Sequence, residues 1–190
     1  MRKFVLKLAI YYSSLTNYAE SEYWNQFRGP NGDGKSKAQN LPLEFTESQN
    51  VRWKIPIHGQ GWSSPVVWGK QIWLTTARKD GTELFAVSVD LDSGKMIHVI
   101  KVFDVVEPQS EHPGLNSHAS PTPIIEKGRI YVHFGTYGTA CLDTQTGRKL
   151  WELRDLNCDH RFRPASSPLI ADGLIVLVYD GVDVQVIIAF

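Results

Sequence analysis

The feature that most constrains the fold is a repeated pattern in which a proline is followed, seven residues later, by an isoleucine. It occurs three times, in the pairs Pro65 and Ile72, Pro123 and Ile130, and Pro168 and Ile175. A turn with aspartate first and glycine fifth also recurs, at 90–94 and at 143–147. Repeats of roughly 40–50 residues that each hold several short strands are the signature of β-propeller blades. The pattern therefore predicts a propeller.

Each repeat divides into short runs of strand-forming residues separated by glycine turns. In the second repeat the runs are 122–125, 129–134, 139–142 and 149–153, and they are rich in Val, Ile, Tyr and Phe. Four consecutive strands joined by short turns form an antiparallel meander. The predicted fold class is therefore all-β: a β-propeller of four-stranded antiparallel blades that form an incomplete ring.

The repeats and the composition between them divide the chain into parts. In chain order these are a possible signal or leader at 1–22, an irregular N-terminal arm at 23–50, an orphan outer strand at 51–57, blade 1 at 62–103, blade 2 at 120–156 and a partial blade 3 at 166–190. The leader has a basic start and a short apolar run, which is typical of a secretory signal. Lys7 interrupts that run, so a leader of another kind is the alternative.

The unpaired parts of the predicted arc lead to an expectation about its behaviour. The third repeat stops inside a strand, so the chain is interpreted as the N-terminal fragment of a longer propeller. Residues 51–57 are expected to be unpaired, or paired in a way that a closed ring does not allow. Residues 184–190 form an uncharged strand at an open edge, and such edges promote association. We expect the isolated chain to dimerise through its open edges or to be poorly soluble.

The turn of the second repeat carries a resemblance to a known family. Its residues Asp143, Thr146, Gly147, Arg148 and Trp151 look like the tryptophan-docking repeat of the PQQ-like β-propellers. That superfamily includes the quinoprotein alcohol dehydrogenases and the outer-membrane assembly lipoprotein BamB. Residues 24–34 and 180–185 resemble a mostly exported bacterial branch of it. The resemblance implies a periplasmic or extracellular protein whose partners are envelope or extracellular proteins.

The docking pattern makes predictions for one aromatic position in each of blades 1 and 2. Trp151 is expected to be buried between neighbouring blades, with Asp143 and Thr146 satisfying the turn before it. The corresponding position of blade 1 is His98, which departs from the pattern and offers a smaller ring for packing.

Charge and composition exclude some classes of function. The 190 residues include 20 basic and 20 acidic ones and have a formal net charge of +0, whereas nucleic-acid binding needs a basic patch. No apolar run is long enough to span a bilayer. The two cysteines, Cys141 and Cys158, are predicted to be unpaired. Because they are not adjacent, they cannot form the vicinal disulfide found in many quinoprotein dehydrogenases.

Polar residues gather in the connections between blades and between the second and third strands of each blade, where propellers usually bind ligands. They are His112, Asn116, His118, Asp159, His160, Arg161, Arg163, Asp180, Asp183 and Gln185. One hypothesis is a metal site from His118, His160, Asp180 and Asp183, whose side chains suit a divalent ion. The alternative is hydrogen bonding within loops and between blades. The alternative is favoured, so no metal is predicted.

The resemblance also raises the question of a quinone cofactor. PQQ dehydrogenases hold the quinone with Arg and polar side chains, stack it on a Trp, and use calcium with an Asp base. Arg161, Arg163, Asp180 and Trp62 supply these residue types. The repeat itself marks the fold and not an activity. We therefore predict a non-catalytic binding or assembly scaffold without a cofactor, with a dehydrogenase of alcohols or sugars that uses PQQ and calcium as the alternative.

Overall fold

The computed structural model describes residues 23–109 and 116–190, and within them almost all regular structure is antiparallel β-sheet. Two sheets have four strands and one has three, and the strands of each sheet follow one another in chain order. The predicted all-β fold with four-stranded antiparallel blades is thus confirmed. The three sheets form an open arc whose ring is not closed.

The strands are short, and each blade starts with the shortest. Blade 1 consists of β1 (Val66–Trp68), β2 (Gln71–Ala77), β3 (Glu83–Asp90) and β4 (Met96–Asp104); blade 2 of β5 (Ile124–Glu126), β6 (Arg129–His133), β7 (Thr139–Asp143) and β8 (Lys149–Leu153); and blade 3 of β9 (Leu169–Ala171), β10 (Leu174–Asp180) and β11 (Gln185–Ala189). A single 3-10 turn, Gly135–Tyr137, joins β6 to β7. None of the described residues forms a helix that is long and apolar enough to cross a membrane.

The repeated proline-to-isoleucine spacing reflects one hairpin that is built three times. The first two strands of each blade pair in the same register, with Val67 opposite Ile72, Ile125 opposite Ile130, and Ile170 opposite Ile175. The turns between these strands contain Gly69, Gly128 and Gly173, each at positive φ. Glycine is favoured there because it has no Cβ to clash in the left-handed region.

The blades are held together by two apolar cores, one at each contact between neighbours. The first core joins blade 1 to blade 2 and includes Trp73, Leu84 and Ile130. The second joins blade 2 to blade 3 and includes Tyr131 and Tyr179. The alternation along β6 explains both cores: Ile130 faces blade 1 whereas its neighbour Tyr131 faces blade 3, as expected for a strand buried on both faces.

The N-terminal arm lies against the inner edge of the arc. Trp24 exchanges both backbone hydrogen bonds with Val67 of β1 (3.1 and 2.8 Å), and the Ile125 N–H of β5 donates to Asn25 O at 2.9 Å. A turn follows, and Gly29 packs so closely on the Trp24 ring that a Cβ there would lie 2.7 Å from it. The arm therefore covers the edges of the innermost strands of blades 1 and 2.

The predicted orphan outer strand at 51–57 pairs with no strand among the described residues, as was expected of it. Its side chains nevertheless attach it to blade 1. The Trp53 indole N–H donates to Leu91 O at 3.0 Å, and a Cβ on Gly94 would lie 2.7 Å from the Trp53 ring. The possible leader at 1–22 and His112 lie outside the described residues.

Candidate functional site

The antiparallel meander brings two kinds of connection to the same end of the arc. Strands 1 and 3 of a blade begin where strands 2 and 4 end, so the segments between blades and the loops between strands 2 and 3 share one end. Of the described residues, this polar end collects the connections 105–109, 116–123 and 154–168 and the loops 78–82, 134–138 and 181–184. Most of the polar residues singled out from the sequence lie here.

A cleft of about 350 Å³ opens at the polar end between blades 2 and 3. Asn116 and Arg163 hold one wall together, because the Asn116 amide donates to the carbonyl oxygens of Arg163 and Pro164 (both 3.3 Å) and the Arg163 guanidinium donates to Asn116 O (3.3 Å). Arg163 is buried and has a φ of 68°. The other lining residues are His160, Arg161, Phe162, Ala165, Asp180, Gly181 and Val182.

His160 is buried at the base of this cleft. Its Nδ1 lies 3.9 Å from Asp180 Oδ1 and 3.8 Å from Cys158 Sγ. Gly135 closes over its other nitrogen, since a Cβ there would lie 2.6 Å from Nε2. Burial lowers the pKa of His160, and the Asp180 carboxylate opposes that shift. Because the thiol and the carboxylate approach the same nitrogen, His160 does not relay a proton from one to the other.

A second buried histidine lies behind the first. His133 Nδ1 is 2.8 Å from Thr139 Oγ1, and its ring meets Tyr179 edge to face at a centroid distance of 5.3 Å. Burial lowers its pKa to about 3, with a smaller contribution from the nearby His160. His133 is therefore neutral at physiological pH and serves as a packed, hydrogen-bonded core residue.

The cysteines are free thiols, as predicted, and both are buried. Burial raises the pKa of Cys141 to about 11 and also raises the pKa of Cys158. Since the thiolate is the reactive form, neither side chain is set up as a nucleophile at neutral pH.

The four residues of the metal hypothesis do not converge. His160 and Asp180 are neighbours, but Asp183 Oδ1 accepts the N–H groups of Asp159 (2.8 Å) and Val184 (2.9 Å). The His118 ring instead contacts Tyr137, with Nδ1 3.4 Å from the phenolic oxygen. Among residues 23–109 and 116–190, no group of three or more His, Cys, Asp or Glu side chains could hold a metal ion.

The residues of the quinone hypothesis meet only in part. Arg161, Arg163 and Asp180 line one cleft, which is a charge set that suits a carboxylate-bearing ligand. Trp62 does not line it, and its backbone N–H instead donates to Ala119 O. The aromatic residue of the cleft is Phe162. The cleft therefore offers cations for a tricarboxylate, but its lining includes no indole for stacking, and the described residues hold no calcium ligand set, so the cleft fits the quinone only in part.

The predicted docking motif forms a defined turn. Asp143 Oδ1 accepts the Thr146 N–H (2.7 Å), the Thr146 hydroxyl (2.8 Å) and the Gln145 N–H (3.0 Å). These hydrogen bonds, the one from the Thr146 backbone first, lower the pKa of Asp143. Trp151 is half-buried against Tyr131, at a ring distance of 5.9 Å, and against Phe190 of blade 3, at 5.5 Å.

The glycine of this turn contacts the preceding blade. Gly147 has a φ of 74°, and a Cβ there would lie 3.2 Å from His98 Nδ1. The His98 ring also stacks on Trp73 at 5.6 Å. His98 of blade 1 thus docks on the turn of blade 2 in the same way that Trp53 docks on Gly94 of blade 1.

Sequence reasoning missed the buried core behind the cleft: His133, Thr139, Cys158 and Tyr179. These residues come from three strands and a connection, so no local spacing links them. The single signal was His133 itself, a histidine within the apolar run of β6.

Comparison with solved structures finds β-propeller proteins. A quinohemoprotein alcohol dehydrogenase from Pseudomonas putida HK5 is 15% identical with a TM-score of 0.50, over 73% of this chain and 20% of that chain. BamB from Moraxella catarrhalis is 13% identical with a TM-score of 0.43, over 66% of this chain and 32% of that chain. A quinohemoprotein alcohol dehydrogenase from Comamonas testosteroni is 14% identical with a TM-score of 0.45, over 65% and 18%.

The first of these comparisons confirms the resemblance to the quinoprotein propellers at the level of the fold. The chain spans only about a fifth of that dehydrogenase. No protein-family model matches the sequence, and no curated protein matches it.

Proposed function

We propose that this chain, built on a quinoprotein-type propeller fold, is a non-catalytic binding or assembly scaffold of the bacterial envelope that works without a bound cofactor. Its partners are envelope or extracellular proteins. The basic start and apolar run of residues 1–22 support a periplasmic or extracellular location. Fractionation of cells that express the full gene tests the location, and a cytoplasmic product that keeps residues 1–22 contradicts it.

The observation that carries the scaffold proposal is that the polar side chains at the polar end form hydrogen bonds between the loops. Asn116 and Arg163 bond to each other across the blade 1–2 and blade 2–3 connections. The Gln109 side chain donates to Cys158 O at 2.8 Å, and Asp183 accepts the Asp159 N–H. Hydrogen bonds of this kind fix loops in place, and rigid loops make a preorganised binding surface.

The surface that such loops present is an arginine next to an aromatic ring. The Arg161 guanidinium carbon lies 5.4 Å from the centroid of the Phe162 ring, and Phe162 is 47% exposed. Arginine and aromatic residues are enriched among the positions that dominate protein–protein binding energies. We therefore assign the Arg161–Phe162 pair as the anchor of the partner surface.

The test is cross-linked capture from envelope extract with the full chain as bait. Phe162→Ala should reduce recovery of the captured partner about tenfold or more, as expected when an interface anchor is lost. Leu43→Ala, on another exposed part of the chain, is the matched control and should capture as well as the wild type. Equal capture by Phe162→Ala and the wild type contradicts the assignment.

A dehydrogenase that uses PQQ and calcium is the second candidate. It is favoured by one observation, the presence of Arg161, Arg163 and Asp180 in the same cleft. The full chain should be titrated with PQQ, with and without calcium, and assayed for dye-linked oxidation of alcohols and sugars. The scaffold proposal expects neither binding nor turnover. If PQQ binds saturably, Arg161→Ala weakens that binding and the chain turns over substrate, the scaffold proposal is wrong and the dehydrogenase is favoured.

A further inference from the structure

The Arg161–Phe162 pair forms the tip of a tight turn. The Arg163 N–H donates to His160 O at 3.1 Å, which closes a four-residue turn with Arg161 and Phe162 at its two central positions. The central residues are exposed, whereas His160 is only 5% exposed and Arg163 only 7%. The position of the tip therefore depends on how the two buried residues at the base of this 160–163 turn are held.

Arg163 is held in a backbone conformation that strains its residue type. Its φ of 68° lies in the left-handed region, where a residue with a Cβ is disfavoured. Asn116 keeps it there, because the Arg163 guanidinium donates to Asn116 O and the Asn116 amide donates to Arg163 O (both 3.3 Å). Strain of this kind lowers the free energy that is needed to open the turn.

His160 has an acceptor beside one ring nitrogen and none beside the other. Nδ1 lies 3.9 Å from Asp180 Oδ1. Since a carboxylate only accepts hydrogen bonds, the hydrogen of the neutral imidazole lies on Nδ1. Nε2 is buried and has no hydrogen-bond partner among the described residues. It faces Gly135, where a Cβ would lie 2.6 Å from Nε2 and 2.4 Å from Pro164 Cβ.

A second proton must therefore enter on the covered side of the ring. The new N–H on Nε2 would meet Gly135 and Pro164, and a buried charged donor without an acceptor is costly. In agreement with this geometry, burial lowers the pKa of His160, although the carboxylates of Asp180, Asp159 and Asp183 oppose the shift.

The neighbouring groups leave His160 as the switch of this cluster. The other titratable side chains that face its ring are His133, Tyr179 and Cys158. Burial lowers the pKa of His133 to about 3 and raises the pKa of Tyr179 and of Cys158, so all three stay neutral between pH 7.5 and 5.5. Carboxylic acids ordinarily titrate at about pH 4.

We propose that His160 makes the partner surface sensitive to acid: a proton on Nε2 displaces the imidazole, opens the 160–163 turn and weakens binding at Arg161 and Phe162. This inference rests on the proposed function of that pair. In the open turn the ring reaches water, which supplies an acceptor for each N–H, so acid favours the open form. The partner is therefore held at neutral pH and released as the pH falls below about 6.5.

Proton linkage sets an upper limit on the effect. The open turn titrates at the ordinary histidine pKa of 6.5, whereas the closed turn excludes the proton. The ratio of open to closed turns therefore rises by at most about tenfold between pH 7.5 and pH 5.5. The affinity for the partner falls with the fraction of turns that remain closed, so it too falls by no more than about tenfold.

The first experiment follows the Arg163 amide of the full chain by hydrogen exchange at pH 7.5 and 5.5. Its protection factor, which is corrected for the intrinsic pH dependence of exchange, should fall several-fold and at most about tenfold. The Gly94 amide, which donates to Asp90 O in a turn of blade 1, is the internal control and should keep its protection. His160→Gln should abolish the pH response of the Arg163 amide, whereas His58→Gln, at an exposed histidine of blade 1, should preserve it. Equal protection at both pH values, or an equal fall in His160→Gln, overturns the proposal.

The second measurement needs no variant and no partner. Nitrogen NMR of the wild-type chain at pH 7.5 should show the hydrogen of His160 on Nδ1 and none on Nε2, because the two neutral forms of histidine are distinguishable. A hydrogen on Nε2 overturns the proposal, because the second proton would then enter beside Asp180.

The third experiment separates this inference from the proposed function. Cross-linked capture from envelope extract should recover several-fold less partner at pH 5.5 than at pH 7.5, and His160→Gln should remove this difference. If Phe162→Ala loses the partner but the wild type captures equally at both pH values, the partner surface stands and this inference is wrong. If the Arg163 amide responds to acid but Phe162→Ala captures as well as the wild type, the partner surface is wrong, and so is the regulation inferred for it.

Discussion

At the scale of single residues, the blades are joined where a ring from one blade lies on a glycine of the next. Gly94 and Gly147 have positive φ, and each leaves space that a neighbouring ring fills, from Trp53 and from His98. Glycine meets two demands here, since a side chain would strain the backbone and also displace the ring.

Replacing Gly94 separates these two demands. Gly94→Ala should lower the free energy of unfolding by about 1–2 kcal/mol for the left-handed backbone and by about another 1–3 kcal/mol for overpacking against Trp53. Gly69→Ala is the matched control in the same blade, because Gly69 also has a positive φ but open space around it. Urea unfolding measures both, and equal losses would show that Trp53 does not depend on the glycine.

The buried His133 makes the folded state sensitive to acid. Its pKa is about 3 in the folded protein and 6.5 as the ordinary value. Between pH 6.5 and pH 3, His133 is therefore mostly protonated in the unfolded chain and mostly neutral in the folded chain. The free energy of unfolding falls as the pH drops through this range. By pH 4 the loss should reach about 3 kcal/mol. His133→Gln should flatten the stability profile over this window, and a profile of unchanged slope contradicts the assignment.

At the scale of elements, the sequence predicted the strands well where a repeat supplied the register. The paired Pro and Ile positions placed three hairpins, and the Asp143 turn was located together with its hydrogen bonds. Residues 51–57 were interpreted as an outer strand without inner strands, from their alternation and their likeness to residues 148–153, and they are unpaired among the described residues. Alternation indicates an extended segment with one covered face, but it does not identify the backbone partner of such a segment.

The candidate site was predictable to the same extent. The loop positions of His118, His160, Asp180 and Asp183 follow from the meander, which brings them to one end of the arc. The directions of their side chains do not follow, because each is set by a contact that is distant in sequence, such as His118 with Tyr137 and Asp183 with Asp159.

The arm gives a prediction at the element scale. Trp24→Ala removes the ring that Gly29 packs on and should loosen the pairing of the arm with the inner strands. Hydrogen exchange should then speed up at the Val67 and Ile125 amides, which donate to Trp24 O and Asn25 O. Phe27→Ala, at an exposed ring of the same arm, is the control. If these amides keep their wild-type rates in Trp24→Ala, the backbone pairing does not depend on the indole.

At the scale of the whole molecule, the stability of each blade depends on its contacts with the neighbouring blades, as in other repeat architectures. Among the described residues, blade 2 is covered on both faces by the two apolar cores, whereas blade 3 contributes only to the core that it shares with blade 2. The blades therefore differ in how much of their apolar surface is removed from water, although their hairpins share one register.

Hydrogen-exchange measurements on the wild-type chain should resolve this difference. Amides of β10 should open with a lower free energy than amides of β6, because β6 contributes to both cores and β10 to one. The comparison uses equivalent strands of the same hairpin, so local pairing is matched. Equal opening free energies would show that the arc unfolds as one cooperative unit.

The hydrogen bond between Asn25 and Ile125 imposes an order on biosynthesis. Asn25 leaves the ribosome long before its partner in blade 2, on the order of ten seconds earlier at usual translation speeds. Until then the inner edge of blade 1 can pair with the arm only through Trp24, and the contact with blade 2 must wait for a large loop to close. The segment that is translated early is thus among the last to be secured, and it locks the first two blades together only after both have been made.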